Sequence, residues 1–160
     1  VINYYIGIDP GPEKSAYCIL SDKGRVVQFD KLDNIPFLQF LGGPDNYAGN
    51  NLFIIEMVAC YGMAVGVEVF ETARWVGRFQ DRIETKHGME ARLMYRKDVK
   101  MTLCHTMKAN DSNIRQRIID LYGGKDKAIG KKKTPGPLYG ISGDCWAALA
   151  ICLTAKETLL

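Results

Sequence analysis

Tyr4-Tyr5-Ile6-Gly7-Ile8-Asp9-Pro10-Gly11 is an apolar, β-prone run that ends on one carboxylate and then breaks. Ile6 and Ile8 alternate with Gly7 in strand fashion. Gly7 has no side chain, so another group can approach the backbone there. Pro10-Gly11 forces a turn directly after the acid. Asp9 is therefore expected near a strand end, where it can reach outward. An Asp that merely opens a turn is the ordinary alternative. Two later carboxylates, Glu56 and Asp144, argue that the three were built to meet.

The same design returns further on. Leu52-Phe53-Ile54-Ile55 is a continuous apolar run, as expected of a strand buried on both faces, and it ends in Glu56. Before it, residues 15–20 predict a second strand, Ser21-Asp22-Lys23-Gly24 a hairpin turn, and residues 25–29 a third strand. Three strands in close succession imply an antiparallel meander. Asn34 can cap a short helix that tolerates Pro36 early and ends at Gly42-Gly43-Pro44. Residues 45–51 read as a loop, and residues 57–66 as an irregular connector with Tyr61-Gly62. Val69, Ala73, Val76, Phe79 and Ile83 recur at helical spacing and predict a long amphipathic helix over 67–87, stopped by Gly88. A short fifth strand is expected at 91–95 and a helix at about 97–108. Ser112 is expected to cap a further helix that reaches Tyr122. Gly123-Gly124 is expected to open a basic loop that ends in Gly130-Lys131-Lys132-Lys133-Thr134-Pro135-Gly136-Pro137. Ser142 is expected to cap the last helix, 143–158, with Asp144 in its first turn. Ala147, Ala148 and Ala150 let that helix approach a sheet closely.

This order predicts an α/β fold: a mixed five-stranded sheet, an antiparallel meander plus parallel strands, flanked by helices. If the first and fourth strands are parallel neighbours, their exits share the edge where α/β sites form. Asp9 and Glu56 then face each other, and Asp144 completes the cluster. Three carboxylates held together repel one another, and a divalent cation between them relieves the repulsion. Oxygen-only ligands select Mg²⁺, with Mn²⁺ as substitute, over zinc. Two such ions, about 3.5–4 Å apart, would clamp a phosphodiester, activate water and stabilise the leaving oxygen. Three unrelated surface acids is the competing reading.

Size and composition set the outer limits. The chain has 160 residues, which suits a single domain over 1–160, and its 47% hydrophobic and 24% charged content is that of a globular protein. No apolar run approaches the roughly 20 residues that span a bilayer. The start lacks a signal-peptide pattern, and opening on Val1 rather than Met suggests a short trimmed leader. Five cysteines, an odd number without CxxC spacing, read as reduced core residues in a reducing, cytoplasmic compartment. Cys104-His105 alone does not make a zinc site. From Arg92 to Lys133 there are 12 basic and 4 acidic residues, a local excess of +8, against −5 over the rest. Such segregation favours a polyanionic partner, nucleic acid above all, although a solvated basic surface has the same composition.

Tyr5-Ile6-Gly7-Ile8-Asp9-Pro10-Gly11, Ile54-Ile55-Glu56-Met57-Val58-Ala59-Cys60-Tyr61-Gly62 and Gly140-Ile141-Ser142-Gly143-Asp144-Cys145-Trp146-Ala147-Ala148-Leu149-Ala150-Ile151-Cys152 resemble the three catalytic motifs of the RuvC-type Holliday junction resolvases, phage members included. These belong to the RNase H-like superfamily. The likeness spans nearly the whole chain in the right order. The first motif alone is weak, because actin-like ATPases begin similarly, but 160 residues cannot supply two actin-like lobes. The resemblance implies an RNase H-like fold, with Asp9, Glu56 and Asp144 as catalytic metal-binding acids. It also implies a homodimer in a bacterial or phage-infected cell that nicks two strands of a four-way junction symmetrically. One departure stands out: family members often carry an acid or histidine one helical turn after Asp144, and this chain has Ala147.

The resemblance also implies that Lys100 contacts a DNA phosphate. Where the family tends to place a further lysine this chain has Asp111, with Lys108 nearby, and that assignment stays open. Tyr61 follows the second motif where an aromatic can stack on junction bases, and packing is the alternative. Lys131, Lys132 and Lys133 either close over a DNA arm by charge or belong to a solvated loop. Phe70, Trp75 and Phe79 are expected in the core or in a dimer interface formed by the long helix. Trp146 is expected to face away from Asp144 and pack. Metal-dependent cleavage of branched DNA leads this reading. An RNase H-like nuclease for flaps, forks or RNA–DNA hybrids is the alternative within the fold. A junction-binding module with impaired catalysis is the alternative that Ala147 keeps open.

Overall fold

The computed structural model describes residues 1–43 and 50–159. Its centre is a five-stranded sheet built from β1 (Tyr4–Asp9), β2 (Lys14–Ser21), β3 (Val26–Asp33), β4 (Asn51–Glu56) and β5 (Arg92–Met94), in the order β3-β2-β1-β4-β5. β1, β2 and β3 form the antiparallel meander, and β4 and β5 join β1 in parallel. The expected mixed α/β sheet is what the chain adopts.

Helices cover both faces. On one side α1 (Asn34–Leu41) and α2 (Val67–His87) bury Phe37, Leu38, Val76, Phe79 and Ile83 against Ile6, Ile8, Tyr17, Ile19 and Ile55. On the other side α6 (Cys145–Thr158) packs on Tyr5, Cys18, Leu20 and Ile54. α3 (Arg96–Cys104) and α4 (Asp111–Leu121) close that layer. α6 is apolar nearly all round, as a helix buried among sheet and helices must be. It approaches β1 so closely that a Cβ on Gly7 would lie 2.4 Å from the Ala148 carbonyl oxygen and 2.7 Å from Cys152 Sγ. The Gly7 N–H donates to that sulfur at 3.1 Å.

Several local expectations need correction. β3 runs on to Asp33 instead of stopping at Phe29, because Asp30 to Asp33 continue the ladder with β2. Asn34 is no cap: it is buried, accepts from Ser15 Oγ at 2.6 Å and donates to the Gly11 carbonyl at 2.9 Å, bracing the turn after Asp9. α3 stops early, at a left-handed His105 whose N–H bonds Met101 O. Asn110, not Ser112, caps α4 through a reciprocal pair with Asn113. The basic loop is in fact a short helix, α5 (Lys125–Ala128), and a hairpin of β6 (Gly130–Lys131) and β7 (Thr134–Pro135). Buried Leu138, whose N–H bonds Ala128 O, anchors this hairpin. Ser142 does not cap α6, which begins at Cys145 with Asp144 one residue ahead of it. Of the loop expected at 45–51, residues 44–49 lie outside the described residues, and Asn51 opens β4. Cys18, Cys145 and Cys152 are buried free thiols, Cys104 is half-buried, and Cys60 is exposed, contrary to a core role.

Candidate active site

Strand alternation aims the acids. In β1, Tyr5 and Gly7 face α6 while Ile6 and Ile8 face the α1/α2 layer. Asp9, two residues past Gly7, returns to the α6 face. In β4, Ile54 faces α6 and Ile55 the other layer, so Glu56 also emerges on the α6 face. The parallel register pairs Ile8 with Ile55, and the two carboxylates leave the sheet side by side. Asp144 arrives from the third direction, at the start of α6. Gly143 before it holds φ at 54°, in the left-handed region that favours glycine. The Asp144 carboxylate caps no backbone group. It accepts instead from Lys31 Nζ at 2.5 Å.

Lys31 belongs to the same row of the sheet. Asp9 pairs with Ala16, and Ala16 pairs with Lys31 across the next ladder. Directly opposed residues share a face. Ala16 ends at its Cβ, which leaves room for the lysine stem to cross toward Asp144. From the other side Arg96, at the start of α3, holds its guanidinium 4.0 Å from Glu56 and pairs with Asp111. Asp9 and Glu56 are half-buried, whereas Asp144 and Lys31 are exposed.

The charges register one another. Burial pushes the Asp9 carboxyl up to about 7, the negative charges of Glu56 and Asp144 add to the rise, and Arg96 and Lys31 oppose it. Burial also raises Glu56 against the pull of Arg96. Lys31 is held above its ordinary value chiefly by its hydrogen bond to Asp144. Among the described residues, no three His, Cys, Asp or Glu side chains converge closely enough to cage an ion as they stand. The donor chemistry still fits a hard divalent cation. The acids offer only carboxylate oxygens, and a cation among them would offset both the burial and the repulsion that lift Asp9.

Lys31 and Arg96 are residues that sequence reasoning did not place beside these acids. The full length of β3 would have exposed the first, since its register carries a lysine onto the Asp9 row. Asp111 is a third. It lines a small cavity of about 60 Å³ with Arg96, Asp144, Trp146 and Ala147, so a carboxylate reaches the space beside the alanine. Trp146 is therefore not turned away from Asp144; it is buried beside it, with the Arg115 guanidinium 4.9 Å from its ring centre.

Lys100 follows Arg96 by one turn of α3 and so shares its face. Tyr61 is 63% exposed and sits at φ 49°, an uncommon conformation for a residue other than glycine. Lys131, Lys132 and Lys133 are exposed on the β6–β7 hairpin. Phe79 is core and Trp75 packs against it, while Phe70 is exposed together with Val67 and Met63. The apolar face of α2 is thus spent on its own sheet, and only its first turns offer apolar surface for a second copy.

No protein-family model matches the chain, and no curated protein matches its sequence. Solved structures do match its fold. RuvC from Thermus thermophilus superposes with a TM-score of 0.68 at 15% identity, covering 98% of this chain and 95% of that one. The structure of T. thermophilus RuvC in complex with Holliday junction substrate gives the same TM-score and identity over 95% and 92%. No described helix is long and apolar enough to cross a membrane. Across nearly its whole length the chain has the RuvC fold, a mixed RNase H-like sheet with acids at the exits of its two central parallel strands.

Proposed function

We propose that this chain is a divalent-cation-dependent endonuclease that resolves four-way DNA junctions by paired symmetric nicks. What supports the reading is that the ends of β1 and β4 and the start of α6 carry Asp9, Glu56 and Asp144 to the same face and edge of the sheet, Ile8 pairing with Ile55 just before the first two. The RuvC fold, found elsewhere in a protein bound to a Holliday junction, supports the choice of substrate. Asp9, Glu56 and Asp144 would hold Mg²⁺ or Mn²⁺, two ions per site. When bound, the metal supplies Lewis acidity and an activated water. The protein's own part is to hold the acids on one face, to keep Arg96 beside Glu56, and to offer phosphate contacts along Arg96 and Lys100. Symmetric cutting requires two sites related by a twofold axis, hence a homodimer. Val67 and Phe70, with Met63, are the surface offered for it.

Carboxylates hold metal here, whereas lysine and arginine hold phosphate. Glu56→Gln and Asp144→Asn are therefore expected to lower Mg²⁺-dependent junction cleavage at least about a thousandfold, the scale of losing a group made for the transition state. Junction binding without divalent cations should stay near wild type. The check is single-turnover cleavage beside binding of the same labelled junction. Near-normal cleavage by either variant removes that residue from the site.

The exposed hairpin lysines give a second expectation. Ammonium groups that meet phosphates release counterions and carry no base information. The triple change Lys131/Lys132/Lys133→Ala should weaken binding more at low salt than at high salt. Each lost contact should flatten the slope of log K against log salt by roughly 0.9. Cleavage positions should not move. A binding series over salt checks this, and an unchanged slope shows a hairpin that does not touch DNA.

A junction-binding module with impaired cutting is a second reading, and one observation favours it. Asp144 is already neutralised by Lys31, and Ala147 supplies no further ligand beside it. Tight junction binding with no Mg²⁺- or Mn²⁺-dependent nicking would decide for it.

A further inference from the structure

Of the three acids, Asp144 holds its cation in a direct hydrogen bond. The Lys31 ammonium lies 2.5 Å from Asp144 Oδ2, and both side chains are about half exposed. No cap, turn or core contact requires this pairing: Asp144 bonds no backbone N–H, and Lys31 comes from the edge strand β3. What brings Lys31 there is the row Asp9, Ala16, Lys31, in which a buried alanine stands where a larger residue would fill the space. Arg96 repeats the arrangement from the opposite side, split between Glu56 and Asp111. Each of the two outer acids of the site thus has a basic side chain at hand.

We propose that Lys31 is an exchangeable cation of this site, resting on Asp144 in the free protein and passing to a DNA phosphate when a divalent cation takes Asp144. This rests on the metal-dependent reading above. An ammonium and a divalent cation on one carboxylate repel each other, so a metal ion on Asp144 weakens the hold of Lys31 there. The displaced lysine, still tethered to β3, then stands beside the metal-binding acids with its charge free. A phosphodiester drawn toward the metal is the anion nearest to it. Lys31 would in this way couple cation binding to DNA binding, and it would keep the empty acids from repelling the DNA backbone.

The test uses the full chain, Ca²⁺ as a hard divalent cation, and the variant Lys31→Met, which keeps the stem and removes the charge. Calorimetric titration with Ca²⁺ should show the variant binding about two- to fivefold more tightly than wild type, the range of an exposed ion pair. Junction binding is then measured over a salt series with and without Ca²⁺, on intact strands. With Ca²⁺ the variant's salt slope should be flatter than wild type by about 0.9, one phosphate contact. Without Ca²⁺ the two slopes should coincide. Thermal unfolding of the variant should stay within a few degrees of wild type, since an exposed pair contributes little. If wild type binds Ca²⁺ and the variant matches it in both affinity and slope, the exchange is overturned while the metal site stands. If wild type binds no Ca²⁺ or Mn²⁺ at all, the metal-dependent reading falls and the exchange with it.

Discussion

Replacing Asp9 with Asn is expected to stabilise the metal-free protein above pH 7 while abolishing Mg²⁺-dependent cleavage. The two effects have one cause. Asp9 is raised from 3.8 to about 7 by burial and by the charges of Glu56 and Asp144. A carboxyl raised on folding favours the folded state while it is protonated. Its contribution is complete below about pH 4 and is lost as pH rises toward 7. Above pH 7 the folded protein carries the full cost of burying the Asp9 charge, with the repulsion of Glu56 and Asp144 added. One pKa unit corresponds to about 1.4 kcal/mol, which bounds the relief at roughly 4 kcal/mol. Asn has the same shape and no charge. The variant should melt at least about 5 °C higher than wild type at pH 8, since about 1 kcal/mol moves a chain of this size by about 2–4 °C. At pH 4 the two should melt together. Saturating Mg²⁺ should reverse the order, because only wild type gains a bound ion. Melting curves at the two pH values, with and without Mg²⁺, check all three statements. Equal melting at pH 8 would mean that neither burial nor the neighbouring acids raise Asp9.

Gly7→Ala is expected to be strongly destabilising. Its Cβ would stand 2.4 Å from Ala148 O and 2.7 Å from Cys152 Sγ. The first is backbone of a buried helix and cannot turn away, so α6 or β1 must shift. Overpacking of this kind costs about 3 kcal/mol, and the melting temperature should fall by about 10 °C. The second variant Gly7→Ala/Cys152→Ala removes only the sulfur, and it should recover a minor part of the loss. Denaturant unfolding of wild type, both single variants and the double variant measures this. Full recovery in the double variant would place the conflict at the sulfur alone. The consequence reaches function as well, because α6 carries Asp144 and its distance from β1 sets how the three acids meet.

Gly7 also shows what was legible in the sequence. A glycine inside an apolar strand, followed by an acid and Pro-Gly, announced both a close approach and a strand-end carboxylate. The approaching group is α6, whose alanines announced the same contact from the other side. Glu56 was readable for the same reason as Asp9: a buried strand that ends on a charge must deliver that charge to an edge. Parallel pairing of β1 with β4 stood in the sequence only as a condition, and the ladder between them meets it. The residues that escaped were those fixed by register and not by pattern. Asp30-Lys31-Leu32-Asp33 has the polarity of a loop, yet it is strand, because an edge strand with one wet face needs little apolar content. Missing those four residues meant missing Lys31. The caps failed similarly. Asn34 and Ser142 stand where capping residues usually stand, but one is drawn into the core by Ser15 and the other precedes a helix that starts later. The basic stretch read as a loop because Gly and Pro dominate it, and the hairpin depends on Leu138 anchoring it from outside the stretch.

The most direct test of the account is strand mapping on a mobile four-way junction. Each strand is labelled in turn and incubated with the protein in Mg²⁺, in parallel with a flap and a linear duplex. Paired nicks are expected at symmetric positions in two opposing strands of the junction, none in the linear duplex, and none in any substrate with Asp9→Asn. Cutting of the flap alone, or junction nicks that persist in Asp9→Asn, would contradict this expectation.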